Sequence, residues 1–234
     1  DDKVSDHISN WNKRGVFMRL SARSPKDFGP HLLLASLSGK DIFDRVLKSS
    51  RSRISLREHI KSKDPAKSTH IIFMPWMDDL IDSCEFRCFI HNKSLNAISQ
   101  YDPYHNSALL PDIKIAVYFR DYIDYFHEQI KDRIPYSSYV MDVVIAPNPP
   151  NPLSISSSEK SNNNNKWYCN LIEFNPFFAD GSSGASCFDW EDDYNIIMKT
   201  RKPPLIRIRN PYVSRKKSIS LSSKKHPDVL DIWG

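Results

Sequence analysis

The chain has 234 residues, of which 40% are hydrophobic and 26% charged, with a net charge of +5. This balance is typical of a soluble globular protein with one large domain or two closely packed lobes. No segment approaches the roughly 18 apolar residues of a membrane span, and the first ten residues, DDKVSDHISN, lack the basic and apolar parts of a secretory signal, so we expect no membrane association.

Two residue types set further limits. The run 194–227 contains ten Lys and Arg residues and no Asp or Glu, which suits contact with RNA or with an acidic protein surface, or a merely solvated segment. The four cysteines, Cys84, Cys88, Cys169 and Cys187, form no CxxC pair, and the eight histidines show no zinc spacing. We therefore expect buried, reduced thiols in a cytoplasmic protein and no structural zinc.

In chain order, the first part of the sequence predicts two strands around a helical region. Residues 13–20 (KRGVFMRL) are expected to form a strand that leads into a polar loop. Residues 31–52 indicate one or two helices with a weak point at Ser38-Gly39. The apolar run 69–74 (THIIFM) predicts a short buried strand.

Residues 85–101 (EFRCFIHNKSLNAISQY) predict a β-hairpin that turns at Asn92-Lys93. Successive side chains of a strand point to opposite faces, so the first strand of the hairpin has two distinct sides. One side would carry Phe86, Cys88 and Ile90, and the other Glu85 and Arg87.

Residues 112–134 give the clearest helix, because apolar residues recur there at helical spacing. These residues are Phe119, Ile123, Phe126 and Ile130. Two strands follow, at 138–146 and 167–174, and they are expected to pair as a hairpin with a long turn. The turn, residues 147–166, is rich in Pro, Ser and Asn and predicts a disordered loop. The mixture of helices and strands favours an α+β architecture.

Polar side chains interrupt the last two of these strands. Residues i and i+2 share a face of a strand, so Glu173 and Asn175 project together from the end of a strand that we expect to be buried. Asp142 lies between apolar neighbours, where a carboxylate needs a partner or a metal. If the strands pair, two carboxylates and an amide oxygen meet. Oxygen ligands of this kind suit Mg²⁺, which typically also binds substrate phosphates. Alternatively, Asn175 caps the strand before Pro176 and Asp142 pairs with an arginine.

Positive side chains would have to bind any phosphates. The six glycines form neither a P-loop nor a dinucleotide-binding motif. Arg19, Arg23 and Lys26 lie at a strand-to-loop transition, and Arg87 lies in the hairpin; the arginine fork suits phosphate contact. For Arg19 and Arg87 the alternative is an ordinary salt bridge.

The segment 71–80 (IIFMPWMDDL) runs from a strand into a stretch broken by proline. Because Pro75 has no N–H, backbone groups near it need other partners. An adenine edge could use them, with Met74, Trp76 or Met77 packing on the ring. The alternative is a set of core side chains at a bend of the chain.

Several segments together are more specific than any motif above. In chain order they are VFMRLSARSPKD, EFRCFIHNKSLNAISQY, YVMDVVI, LIEFNPF, FDWED and the closing HPDVLDIWG. From Gly15 to Trp233 this series resembles the cell division cycle protein 123 family. The resemblance implies an α+β, two-lobed ATP-grasp fold with mixed and antiparallel sheets. Residues 1–80 would form the N-terminal lobe, and 81–234 the C-terminal lobe with the insert at 147–166.

The resemblance also implies ATP and Mg²⁺ as cofactors. The metal ligands would be Asp142, Glu173 and Asn175. The nucleotide would be bound by these three residues together with Arg19, Ser21, Arg23, Lys26, Met74, Pro75, Trp76 and Arg87, of which Arg19 and Arg87 would contact phosphates and residues 74–76 would form the adenine hinge. Three residues depart from the usual family pattern: Arg19 stands in place of Lys, Glu173 in place of Asp, and Tyr101 in place of Arg.

The function implied by the resemblance is assembly of eukaryotic translation initiation factor 2. A monomeric chaperone would bind the gamma subunit and promote its joining to the alpha and beta subunits, with no group transferred. The alternative is an ATP-grasp enzyme, either an ATP-dependent ligase that forms an acyl-phosphate or an RNA-joining nucleotidyl transferase, in which Arg19 and Arg87 stabilise the transition state. No activated nucleophile is evident, since neither His91 nor His105 has a recognisable partner. The basic run fits RNA or an acidic protein face as partner.

Overall fold

The computed structural model describes residues 15–21, 24–25, 27, 38–62, 69–76, 84–103, 110, 112–147, 167–177, 183–209 and 229–233. The expectations for Arg23, Lys26, Met77, His105 and most of the Pro/Ser/Asn-rich insert lie outside the described residues. The chain divides into two compact units, Asp1–Asp78 and Asp79–Gly234, and each is described by itself.

The first unit contains two strands and two helices among its described residues. These are β1 (Val16–Leu20), α1 (Gly39–Lys48), α2 (Ser50–Ser62) and β2 (Ile71–Pro75). β1 and β2 pair antiparallel. The predicted weak point at Ser38-Gly39 is the start of a helix, because the Asp41 N–H donates to Ser38 Oγ at 3.2 Å and caps α1. The core of this unit consists of Val16, Met18, Ile42 and Val46, with Leu56 and Phe73 packed against them.

The strand predicted at 69–74 exists, but the expectation that it is buried is wrong. Ile71 is 47% exposed and Ile72 is 39% exposed. The helices cover one face of the two-stranded sheet, where Met18 of β1 pairs with Phe73 of β2. Ile72 lies on the opposite face, since successive side chains alternate. An apolar run therefore predicts the strand but not which of its faces is covered.

The second unit is built on a six-stranded sheet. Its elements are β3 (Cys84–His91), β4 (Ser94–Gln100), α3 (Ile113–Ile130), β5 (Tyr139–Pro147), β6 (Trp167–Asn175), α4 (Tyr194–Met198), β7 (Leu205–Arg209) and β8 (Val229–Ile232). The strand order is β6-β5-β3-β4-β7-β8. β4 and β7 are parallel and the other neighbours antiparallel. This mixed sheet with its helices confirms the α+β class.

The predicted hairpin is formed by β3 and β4. Asn92 and Lys93 both have positive φ, 50° and 62°, as a two-residue hairpin turn that matches the twist of its strands requires. The predicted sides of β3 are also confirmed, because the residues of the apolar side are fully buried in the main core. These are Phe86, Cys88 and Ile90.

The predicted long helix, α3, covers this core on one face of the sheet. The Lys114 N–H donates to Asp112 Oδ1 at 2.8 Å and caps its start. Phe119 and Ile123 are fully buried, and the Phe119 ring meets the Trp167 ring edge-on at 5.1 Å between centroids. Among the described residues, no helix is long and apolar enough to cross a membrane.

The opposite face of the sheet is covered by the segment 183–198 and its neighbours. Phe188 and Ile197 pack there against residues of β3, β4, β5 and β7, with Trp190 beside them. The four cysteines are all free, as predicted; Cys169 is half-buried, the other three buried.

β5 and β6 pair antiparallel as predicted. The expectation that β6 is a buried strand is wrong, because every residue of β6 is half-buried or exposed. β6 is an edge strand of the sheet, so no strand of the described part of the chain pairs with its outer side. Its apolar residues, such as Leu171 (37% exposed) and Phe174 (39%), are correspondingly accessible.

Candidate functional site

A row of polar side chains crosses all six strands of the second unit, and we call it the polar row. In strand order it consists of Glu173, Asp142, Arg87, Ser99, Arg207 and Asp231. Each residue is paired in register with the next, and directly paired residues lie on the same face of a sheet. The row lies on the face opposite α3, since Arg87 alternates with the core residues Phe86 and Cys88.

Asp142 and Arg87 form a buried ion pair in the middle of the row. Arg87 Nε donates to Asp142 Oδ1 at 2.8 Å and Arg87 Nη2 donates to Asp142 Oδ2 at 2.7 Å. The Asp142 side chain is 0% exposed and the Arg87 side chain 9%. The sequence left open whether Asp142 meets an arginine or a metal; the structure supplies the arginine, and it is one of the two arginines expected at phosphates.

The two other expected metal ligands lie beside this ion pair. Glu173 is the register partner of Asp142, and the β5–β6 register shifts directly after Asp142, an irregularity that re-aims side chains at the strand end. Asn175 Nδ2 donates to Asp142 Oδ2 at 3.0 Å. Strand pairing therefore places Glu173 beside Asp142, and Asn175 meets Asp142 through its amide nitrogen; binding of one cation by all three residues stays a prediction.

The charge and chemistry of this group fit a divalent cation. Two adjacent carboxylates face the single positive charge of Arg87, so these three side chains carry a formal charge of −1 in total. Like charges directly opposite each other destabilise a sheet, and a bound cation would offset that repulsion. Carboxylate and amide oxygens are the hard ligands that Mg²⁺ prefers.

Arg87 has further contacts inside the second unit. Its Nη1 donates to the carbonyl oxygen of Gly184 at 2.7 Å, and its guanidinium carbon lies 4.9 Å from the centre of the Tyr101 ring. Burial by itself lowers the pKa of Arg87, but the hydrogen bonds and charge of Asp142, with smaller effects of Tyr101 and Glu173, outweigh it and raise that pKa. Arg87 therefore stays charged at any physiological pH.

Three members of the polar row hold the segment 183–188 against the sheet. Arg87 binds the Gly184 carbonyl oxygen, the Cys187 N–H donates to Ser99 Oγ at 2.9 Å, and Arg207 Nη1 donates to the Cys187 carbonyl oxygen at 3.3 Å. The segment 183–188 thus contacts Arg87, next to Asp142 in the polar row, and also Arg207, further along the row.

Sequence reasoning missed two residues that take part in these contacts, Ser99 and Gly184. The alternation within β4 could have placed Ser99 on this face, but no local signal reveals the contact of Gly184, 97 residues beyond Arg87.

Three described candidates of the first unit, Arg19, Ser21 and Met74, share one face of its two-stranded sheet, whereas Pro75 pairs with the core residue Val16. Arg19 pairs with Ile72, Met74 pairs with Phe17, and alternation puts these residues with Ser21 on the face opposite the core. Ser21 also closes the ladder, because its Oγ accepts the His70 N–H at 3.1 Å.

The backbone next to Pro75 was expected to need an outside partner. Instead, the Trp76 N–H donates to the Gly15 carbonyl oxygen at 3.2 Å within the first unit. This donor is therefore already used, and an adenine edge would have to meet other groups of the segment.

One other cluster of potential metal ligands occurs in the described part of the chain: Asp124, His127 and Glu128. The ammonium of Lys202 lies in it, 2.6 Å from Asp124 Oδ1 and 3.1 Å from Glu128 Oε1. Lys131 also pairs with Glu128, so two lysines balance the two carboxylates, and we do not regard the cluster as a metal centre.

The described part of the basic run, 194–209, serves the fold of the second unit. Arg207 is 8% exposed and pairs with Asp193 and Asp231. Arg209, equally buried, donates to the Pro103 carbonyl oxygen at 2.7 Å. These charges are used inside the protein, so an RNA or an acidic partner would have to meet other residues of the run.

Comparison with known proteins gives relatives along most of the chain. A CDC123-like protein of Acanthamoeba polyphaga mimivirus is 28% identical over 89% of this chain. A translation initiation factor eIF2 assembly protein of Xenopus tropicalis is 25% identical over 98% of it. This chain spans 59% of the length of the former protein and 66% of the latter.

The fold also has a solved counterpart. The structure of Cdc123 from Schizosaccharomyces pombe matches with a TM-score of 0.65 at 20% identity, over 88% of this chain and 76% of that chain. This likeness confirms the ATP-grasp-like α+β fold. The family model D123 matches residues 1–229. Together with the named relatives, this match shows that the chain belongs to the D123 family, the family of Cdc123.

Proposed function

We propose that this chain is an assembly factor for eukaryotic translation initiation factor 2 that binds ATP with Mg²⁺. The observation that carries the proposal is the arrangement at one end of the polar row, where Glu173 is the register partner of Asp142 and Asn175 donates a hydrogen bond to it. The assembly role is supported by family membership and by relatives named as eIF2 assembly proteins.

Asp142, Glu173 and Asn175 would hold the metal in this proposal. When bound, Mg²⁺ links oxygen ligands of a protein to the phosphates of a nucleotide. The strand ladder fixes Glu173 beside Asp142, so these residues present negative charge without rearrangement of the backbone. The replacement of the usual Asp by Glu173 keeps the carboxylate and lengthens its reach by one methylene.

The other residues proposed for the nucleotide belong to the first unit. Arg19 and Ser21 would serve its phosphates, while Met74, Pro75 and Trp76 would pack around the adenine. Arg23 and Lys26 complete the set by sequence alone. The clustering of Arg19, Ser21 and Met74 on one sheet face of the first unit supports this assignment.

The proposed partner is the gamma subunit of the initiation factor, bound by a monomer in the cytoplasm. ATP binding rather than turnover would favour the conformation that holds the partner, because a ligand shifts a protein toward the state that it binds better. The alternative, an ATP-grasp ligase or RNA-joining enzyme, differs by the products that it releases.

A single substitution tests both halves of the proposal. Glu173→Ala removes a metal ligand from a half-buried edge strand, so we expect it to weaken MgATP binding about tenfold or more without unfolding the protein. We also expect less capture of purified gamma subunit in the presence of MgATP. Isothermal titration calorimetry measures the first effect, a pull-down the second, and circular dichroism the fold.

Glu191→Ala, which removes an exposed carboxylate of the same unit, serves as the control and should leave both readouts unchanged. Unaltered MgATP affinity in Glu173→Ala would contradict the site. A folded, ATP-bound wild-type chain that does not capture the gamma subunit would contradict the assembly role. Many turnovers releasing ADP, AMP or pyrophosphate would favour the enzyme alternative.

A further inference from the structure

Arg87 makes an unusual number of internal contacts for a residue expected to bind phosphates. A guanidinium has five N–H donors in a fixed planar fork, and three of them are used by the Asp142 carboxylate and the Gly184 carbonyl oxygen. The Tyr101 ring lies against the guanidinium as well. This ring contact is a further internal contact of the Arg87 guanidinium.

The ion pair also fixes the buried Asp142 carboxylate in place. A buried carboxylate whose partner is removed is left as an uncompensated charge, which strongly destabilises the folded state. Asp142 is fully buried, and its two oxygens accept from both ends of one arginine fork. Rotation of the carboxylate would break both hydrogen bonds together, so Arg87 fixes the orientation of Asp142 and not only its charge.

The fixed carboxylate of Asp142 in turn orients the Asn175 amide, which is hydrogen-bonded to it. An amide side chain has one donating arm and one accepting arm, and a carboxylate accepts only. Because Asn175 Nδ2 donates to Asp142 Oδ2, the amide oxygen is on the arm that points away from Asp142. The amide oxygen is the atom that a hard cation binds. Without a fixed carboxylate at position 142, the two arms of Asn175 could exchange.

From these contacts, and resting on the proposed function, we infer that Arg87 is a positioning residue of the metal site and not a phosphate ligand. It holds the Asp142 carboxylate and, through it, the Asn175 amide in the arrangement that presents the amide oxygen to a divalent cation. It also fastens the segment 183–188 to the same point through the Gly184 carbonyl oxygen.

A phosphate-binding Arg87 and a positioning Arg87 predict ATP affinities that depend differently on Mg²⁺. A residue that contacts phosphates strengthens ATP binding whether or not Mg²⁺ is present. A residue that orients metal ligands strengthens only the part of the ATP affinity that Mg²⁺ adds, since partners behind metal ligands typically change metal affinity about 10- to 100-fold. The ratio of ATP affinity with Mg²⁺ to that with EDTA separates the two.

The test uses Arg87→Lys in the full chain. Lysine keeps the positive charge beside Asp142, so the fold should survive, but a point charge cannot hold both carboxylate oxygens as the fork does. We expect the gain in ATP affinity from Mg²⁺ to fall about tenfold, with ATP affinity in EDTA unchanged. Mn²⁺ binding without nucleotide, followed by electron paramagnetic resonance, should weaken in parallel.

Arg207→Lys is the matched control. Arg207 is an equally buried arginine of the polar row that also holds the segment 183–188, but it pairs with Asp193 and Asp231 instead of Asp142. We expect the gain in ATP affinity that Mg²⁺ gives the Arg207→Lys variant to equal the gain in the wild-type protein. An equal loss in Arg207→Lys would show that the effect comes from the segment or the sheet, and would overturn the inference.

The remaining outcomes are also decisive. If Arg87→Lys lowers ATP affinity equally in Mg²⁺ and in EDTA, Arg87 contacts phosphates and the inference is overturned; an unchanged gain from Mg²⁺ overturns it too. If the wild-type chain binds no ATP at all, the proposed function fails. The Mn²⁺ measurement then decides alone: weaker Mn²⁺ binding in Arg87→Lys than in wild type and Arg207→Lys supports the inference, and any other pattern rejects it.

Discussion

At the residue scale, the second unit buries a histidine in the last turn of α3. His127 is 0% exposed; its Nε2 and the Tyr139 hydroxyl oxygen are 2.9 Å apart, and its Nδ1 has no hydrogen-bond partner among the described residues. Burial lowers the pKa of His127 to about 4, and the charges of Glu128 and Asp124 oppose this only in part. The protein therefore folds around a neutral imidazole.

This burial predicts a pH dependence of stability. An unfolded histidine has a pKa of about 6.5, so the unfolded chain takes up the proton first as pH falls, and stability is lost between about pH 6.5 and pH 4. Linkage gives a loss of about 2 kcal/mol in the free energy of unfolding between pH 7.5 and pH 5. Urea unfolding at the two pH values measures it.

His127→Gln serves as the comparison, because glutamine can still meet the Tyr139 hydroxyl but does not titrate. We expect the variant to lose this part of the pH dependence, although it is less stable at neutral pH. If the variant and the wild-type protein lose equal stability between the two pH values, His127 is not the group responsible.

Single residues also show how far the sequence predicts the site. Glu173 and Asn175 could be grouped because i and i+2 share a strand face, a rule that needs no partner strand. The pairing of Asp142 with Arg87 could not, because it depends on the register of two strands whose residues are 55 positions apart. The sequence offered an arginine or a metal as alternatives, and only the register identifies the arginine.

At the scale of elements, α3 is the helix that the sequence predicts most clearly, and its Phe119 makes aromatic contacts in the main core. The Phe119 ring meets Phe86 at 6.0 Å and Trp167 at 5.1 Å between centroids. It therefore joins β3, β6 and the helix in one cluster. Such a residue cannot be shortened without leaving a cavity, since three elements surround it.

Phe119→Ala should lower the free energy of unfolding by about 3–5 kcal/mol, as measured by chemical denaturation. Tyr125→Ala, on the same helix at a side chain that is 49% exposed, should change it by only about 0.5 kcal/mol. Similar values for the two variants would show that α3 does not pack on the sheet through Phe119.

The elements that the sequence predicts poorly are those at the ends of the sheets. The strands of residues 71–75 and 167–175 are correctly located but less buried than their apolar residues suggest, because an apolar run does not reveal which strand lies at an edge. β7, with the sequence LIRIR, alternates as a strand should. Its two arginines, Arg207 and Arg209, count toward the basic run of the sequence. Both are nevertheless buried and bind partners elsewhere in the second unit.

At the scale of the whole molecule, the two units have separate cores. The buried cluster of the first unit contains four residues, all from β1 and α1. The main cluster of the second unit contains eighteen residues, and a smaller one covers the other sheet face. Because the share of surface that a domain buries grows with its size, we expect most of the stability to belong to the second unit.

The lobe boundary implied by the resemblance, between residues 80 and 81, stays a prediction that fragments can test. We expect residues 79–234 expressed alone to fold cooperatively, because the described residues of both clusters all belong to this part of the chain. Residues 1–78 alone should be marginal, since domains of this size rarely gain more than about 3–5 kcal/mol from one core. Circular dichroism during thermal unfolding measures both.

The same fragments test the nucleotide assignments made in the first unit. Residues 79–234 retain Asp142, Glu173 and Asn175 but lack Arg19 and Met74. If the proposed assignment is correct, this fragment should still bind Mn²⁺ while its affinity for ATP falls at least about tenfold, the effect of losing roughly 1.4 kcal/mol of binding free energy. A folded fragment that binds MgATP as tightly as the full chain would remove the first unit from the nucleotide site and leave the adenine and phosphate assignments there without support.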